Sequence, residues 1–148
     1  REPRDVVRSQ QRSPGAEFIA GSMNPALLGL DAGDLRALSP DEYGIRVLAE
    51  FCDAALREKD IGRGAFVDYA ELPDAALSTV PAFFGISPTP SEAARMREAT
   101  RRDAKHTANT YRQRPQEALP AEVERLIERW LDAPYAALRV AARTVARR

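Results

Sequence analysis

The stretch Arg1-Glu2-Pro3-Arg4-Asp5-Val6-Val7-Arg8-Ser9 reads as the exit of a strand that turns directly into a helix. Pro3 suits the first helical turn, where its missing N–H has no partner to lose. Val6 and Val7 give the new helix an apolar side. Asp5 falls in the first turn, where a carboxylate complements the positive end of the helix dipole. Arg1 stands just before the corner and Ser9 about two turns along the helix. A guanidinium offers a planar fork of donors and a serine a short neutral one, and together they suit the grip of a phosphate.

Outward from this corner, the chain alternates helix signals with breakers. The first helix runs over residues 3–12 and meets Ser13-Pro14-Gly15, a strong interruption. Residues 13–38 read as a long excursion with a short helical piece. Its apolar residues, among them Phe18, Ile19, Met23 and Leu28, point to a packed lid or substrate-facing loop, because long loops inside compact domains usually serve a function. Ser39-Pro40-Asp41-Glu42 then opens a helix, with Ser39 as cap and Glu42 completing a capping box. It runs to about Lys59, with Tyr43, Val47, Leu48, Phe51, Ala55 and Leu56 forming one core-facing stripe at helical spacing.

Ala65-Phe66-Val67-Asp68-Tyr69 is short, apolar and flanked by turn residues, and it predicts a strand. A helix follows from about Asp74 to Phe84, stopped by Gly85. A strand flanked by helices in this order suggests an α/β sheet. Thr89-Pro90-Ser91-Glu92 repeats the cap logic and opens a helix to about Arg101. Pro120 opens the last helical region, with Val123, Leu126, Ile127, Trp130 and Leu131 on one side. Pro134 interrupts it, and a second helix follows from Tyr135.

With 148 residues the chain suits one domain. Its 22 basic and 22 acidic residues cancel, so no global field calls for nucleic acid or for a cationic partner. All but two of the basic residues are arginines, the exceptions being Lys59 and Lys105. The single Cys52 excludes an intramolecular disulfide and any cysteine-based zinc site, and its place on an apolar helix face marks a structural thiol. Glu17, Asp31 and Asp34 lack metal-ligand spacing. No apolar run is long enough to span a membrane. The chain starts without Met in the middle of what reads as a strand–helix junction, which suggests a fragment or a processed product.

Arg1, Pro3, Asp5 and Ser9 match Arg-x-Pro-x-Asp-x-x-x-Ser. The stretch thereby resembles the 3′-phosphate-binding motif of the sulfotransferases that use 3′-phosphoadenosine 5′-phosphosulfate (PAPS). The likeness continues in order. These enzymes commonly carry a strand ending in Tyr-Glu-Asp-Leu and then a short helix ending in Phe-Leu-Gly. Here stand Tyr69-Ala70-Glu71-Leu72 and Phe83-Phe84-Gly85, with position 70 departing and position 71 keeping an acid. The late glycine-rich phosphate loop of the cytosolic members is absent. Arg101, Arg102, Lys105, Tyr111 and Arg112 instead fit a shorter basic segment seen in a bacterial branch.

The resemblance implies the carboxy-terminal half, over residues 1–148, of a single sulfotransferase domain. Its fold class would be α/β, of P-loop-like type, with a fragment that is mostly helical and has few strands. The parent enzyme would transfer a sulfuryl group from PAPS to a hydroxyl or amine of a small-molecule or glycan acceptor, without metal, in the cytoplasm. Arg1 and Ser9 would hold the 3′-phosphate, the Tyr69 ring would lie near the adenine, and Lys105, with Arg101 beside it, would reach the cofactor. Neither nucleic acid nor a membrane segment is implied. The phosphosulfate loop and the catalytic base would precede Arg1, so no catalytic residue is assigned and this chain alone is expected to be inactive. His106, far downstream, reads as incidental. Two other classes compete: a non-enzymatic helical interaction module, and a fragment of a P-loop nucleotide kinase.

Overall fold

The computed structural model describes residues 2–61, 64–102 and 117–145. Its described elements are helices joined by short turns, and they fall into two compact units.

The first unit combines residues 1–66 with 117–148. Its helices are α1 (Pro3–Arg12), α2 (Ala32–Ala37), α3 (Pro40–Glu58), α7 (Ala121–Trp130) and α8 (Asp132–Val145). Helix α3 is the centre, packed by α1, α7 and α8 and by the excursion between α1 and itself. It starts where Ser39 Oγ accepts the Glu42 N–H at 3.1 Å and Pro40 takes the first helical position. Tyr43 and Val47 are fully buried against Phe18, with Met23, Leu28, Leu35 and Leu38 around them. Ile45 faces the other way, into a cluster with Val7, Leu119, Val123, Ile127 and Leu131. Two residues along a helix turn a side chain by about 200°, so α3 is apolar on opposite sides and is clasped from both. Full burial of a side chain such as Ile127 is worth roughly 1.5–3 kcal/mol over exposure.

The excursion is more ordered than a plain loop. It forms 3-10 turns at Ala16–Phe18 and Pro25–Leu28 and then α2, whose capping box pairs Asp31 with Asp34. Gly29 closes the second turn at φ +63°, a conformation that suits a residue without a side chain. The boundary between α7 and α8 falls at Leu131, three residues before the predicted interruption. Pro134 sits in the first turn of α8, where its missing N–H breaks no helical hydrogen bond.

The second unit spans residues 67–116 and holds α4 (Asp74–Leu77), α5 (Thr79–Phe83) and α6 (Pro90–Ala99). The single helix predicted over 74–84 is divided at Ser78. Its hydroxyl donates to the Asp74 carbonyl at 2.8 Å, and Pro81 has no N–H to return to Leu77. Helix α6 opens with a full capping box between Thr89 and Glu92.

The expected α/β, P-loop-like fold is overturned: the described residues contain no sheet. Residues 64–68 have no regular secondary structure and enter no ladder, and a strand is stable only when a neighbour takes its N–H and C=O groups. The predicted strand ends early as well. Asp68 Oδ1 accepts the Ala70 N–H at 3.0 Å and turns Tyr69–Glu71 into a 3-10 helix.

Candidate functional site

Helix α1 carries the predicted phosphate motif, and its charged side chains are committed to the fold. Pro3 is buried at the helix start, and Val7 points into the core. Arg4 donates Nη1 and Nη2 to the two Asp132 carboxylate oxygens at 3.0 and 3.2 Å, and Nε to Glu124 Oε2 at 2.8 Å. Those carboxylates, Asp132 foremost, raise the Arg4 pKa above its ordinary value. Arg8 donates Nη1 to Asp5 at 2.9 Å and Nε to the Glu117 carbonyl at 2.6 Å. Asp5 is therefore accounted for by helix-start electrostatics and by Arg8.

Ser9 lies in the same helix, half-buried, and accepts the Ser13 N–H on its carbonyl at 3.1 Å. Its hydroxyl takes no hydrogen bond among the described residues. Arg1 lies outside them, as do Lys105, His106, Tyr111 and Arg112.

Tyr69 and Arg101 belong to the second unit, and Ser9 to the first. Tyr69 opens the 3-10 turn, with 38 % of its surface exposed, so part of the side chain is open to solvent. Phe83 and Phe84 meet edge to face at 5.2 Å. Gly85 follows at φ +66°, and the Ile86 N–H returns to the Pro81 carbonyl at 2.8 Å. That is the left-handed helix end which favours glycine. Arg101 is exposed and pairs with Glu98 at 3.2 Å, an ion pair of small energetic weight.

Two features escape the linear reading. The first is a stack in the first unit: the Arg46 guanidinium lies 3.9 Å from the Trp130 ring centre and that of Arg129 4.6 Å from it. Arg46 also reaches Glu42 at 3.2 Å. Trp130 is thus a half-buried platform for cations rather than a plain core residue.

The second is an open groove of about 620 Å³ between α1, the start of the excursion and α3. Val7, Phe18, Ile19, Ile45 and Leu48 form its apolar wall. Gln10, Gln11 and Asp41 supply polar groups, and Gly44 leaves a gap in the α3 side. Gln11 Nε2 donates to Asp41 Oδ1 at 3.1 Å, and Gln10 Oε1 accepts the Gly15 N–H at 2.7 Å. A glycine inside a strongly signalled helix was the one cue to this groove in the sequence.

Cys52 packs half-buried against the first core, and burial, with Asp53 nearby, pushes its thiol up. That disfavours the reactive thiolate. No group of three or more His, Cys, Asp or Glu side chains poised for a metal occurs among the described residues. No helix among them is long and apolar enough to cross a membrane. Comparisons with protein-family models, with curated proteins and with solved structures find no match.

Proposed function

We propose that this chain belongs to a PAPS-dependent sulfotransferase and contributes the 3′-phosphate end of the donor site. The observation that carries the reading is the ordered set Arg1-x-Pro3-x-Asp5-x-x-x-Ser9, Tyr69-x-x-Leu72 and Phe83-Phe84-Gly85. The first segment has the conformation that the motif needs. The helix begins at Pro3. Arg4 and Arg8 are occupied by carboxylates and a carbonyl, and the Ser9 hydroxyl takes no hydrogen bond among the described residues. A phosphate is therefore assigned to Arg1 and Ser9 rather than to the other arginines of the helix.

In the proposed reaction an acceptor oxygen or nitrogen attacks sulfur in line. The new bond forms as the sulfur–oxygen bond to the 5′-phosphate breaks. Adenosine 3′,5′-bisphosphate leaves with that electron pair, and the acceptor proton passes through a general base to solvent. The acceptor is a small molecule or a glycan.

Calorimetry tests the reading. Adenosine 3′,5′-bisphosphate should bind more tightly than adenosine 5′-monophosphate, and Arg1→Ala should erase most of that difference. Loss of a charge-assisted contact of about 1.5–3 kcal/mol corresponds to roughly ten- to a hundredfold in affinity. Equal affinity for the two nucleotides would remove the 3′-phosphate site. The all-helical described structure favours one second reading, a helical interaction module, for which neither nucleotide gives heat.

A further inference from the structure

Gly44 sits in the second turn of α3, which runs from Pro40 to Glu58. A glycine inside a helix is destabilising relative to alanine. Such a cost is usually offset by a close approach that a side chain would block. No such approach exists here: a Cβ at position 44 would meet nothing nearer than Phe18 Cδ1 at 3.6 Å, an ordinary contact. What the absent side chain does leave open is the groove between α1 and α3, which Gly44 lines.

The chemistry of that groove is selective. Its wall is aliphatic and aromatic, and among the described residues its only ionisable lining group is Asp41, with no lysine or arginine lining it. A nucleotide, sulfate or other multiply charged anion would lose its hydration against an apolar wall and a carboxylate, with no cation in return. A neutral ring fits. Phe18 and Ile45 offer apolar contact, and Gln10 and Asp41 offer hydrogen bonds for one hydroxyl. The volume falls within the range of small-molecule sites.

We propose that the groove lined by Gly44, Phe18, Ile45, Gln10 and Asp41 binds a neutral apolar alcohol or phenol. Its role as the sulfuryl acceptor site rests on the function proposed above; the binding itself does not.

The probe is 2-naphthol, followed by ligand-observed NMR and calorimetry, with 2-naphthalenesulfonate as an anion on the same ring. We expect 2-naphthol to bind with Kd of about 0.1–1 mM and the sulfonate at least roughly tenfold more weakly, a difference of about 1.4 kcal/mol. Gly44→Ala should raise the melting temperature, through helix propensity, and weaken 2-naphthol severalfold, while Gly44→Leu should abolish its binding. Affinity for adenosine 3′,5′-bisphosphate should be unaffected by Gly44→Ala. Absence of 2-naphthol binding, equal binding of the sulfonate, or unchanged binding in both folded variants would overturn the site. The wild-type comparison of the two naphthalenes stands even if a variant fails to fold. Naphthol binding without any nucleotide binding would uphold the groove and defeat the sulfotransferase reading, whereas the reverse result would uphold that reading and defeat the groove.

Discussion

Arg4 and Asp132 form a two-pronged ion pair, with Nη1 and Nη2 at 3.0 and 3.2 Å from the two carboxylate oxygens. Glu124 takes the remaining Nε at 2.8 Å. The pair fixes the start of α1 to α7 and α8, within a motif whose first arginine, Arg1, is proposed to hold phosphate.

Replacing Arg4 by Met should therefore act on stability rather than on ligand binding. It removes three charge-assisted hydrogen bonds and leaves two carboxylates unpaired. All three side chains are about a third exposed, so solvent screening reduces the cost to about 1–2 kcal/mol. Urea unfolding should show a lower midpoint with an unchanged slope. Any preference for a 3′-phosphorylated nucleotide should persist. Its loss in a folded Arg4→Met protein would place the phosphate on Arg4.

Tyr43 is fully buried, and its hydroxyl has no hydrogen-bond partner among the described residues. A buried hydroxyl without a partner costs free energy that a phenylalanine of the same shape does not incur. Tyr43→Phe should stabilise the protein by up to about 1 kcal/mol, read as a higher thermal or denaturant midpoint. A decrease would show that the hydroxyl is bonded.

The start of α6 should loosen in acid. Thr89 donates its backbone N–H at 2.8 Å and its hydroxyl at 2.7 Å to Glu92 Oε2. The backbone bond first, and then the hydroxyl, hold the Glu92 carboxyl below its usual range. A carboxylate with a depressed folded pKa contributes stability above its unfolded pKa of about 4.3, and that contribution is lost as pH falls through the lower folded value. Protection of the amides at residues 89–93, taken relative to their intrinsic exchange rates at each pH, should fall below that pH in the native protein. Glu92→Gln, which lacks the titrating proton, should flatten the dependence.

Local signals were legible where one residue type fixes one backbone state. The starts of α1, α3 and α6 follow from Pro3, from Ser39-Pro40 and from Thr89-Pro90, because a cap or a proline acts on its own few neighbours. Gly85 stops α5 for the same reason. Failures came where a neighbour distant in sequence decides. The apolar run 65–69 carries strand propensity, yet a strand exists only with a partner, and propensity contains none. Ile45 lies off the predicted α3 stripe, although it is almost completely buried. A single stripe describes a helix packed on one side, and α3 is enclosed on two. Phe51, counted in that stripe, is 43 % exposed and meets Phe18 only by its edge, at 6.3 Å. Of the predicted site, Ser9, Tyr69 and Arg101 can be placed, in two separate units. The groove was hidden because its wall joins residues from three segments, and Gly44 alone hinted at it.

The clasp of α1 also sets an order of events during synthesis. Arg4 finds Glu124 and Asp132 at separations of 120 and 128 residues. Until α7 and α8 emerge from the ribosome, α3 has only half of its apolar surface covered, and Ile45 and Val7 wait without Ile127 and Leu131. The residues of the second unit are made in the interval. The first unit must close a long loop before its core is sealed. Its nascent form therefore exposes an apolar flank of α3 for the time needed to make residues 59 to about 131, the window in which a chaperone would find it.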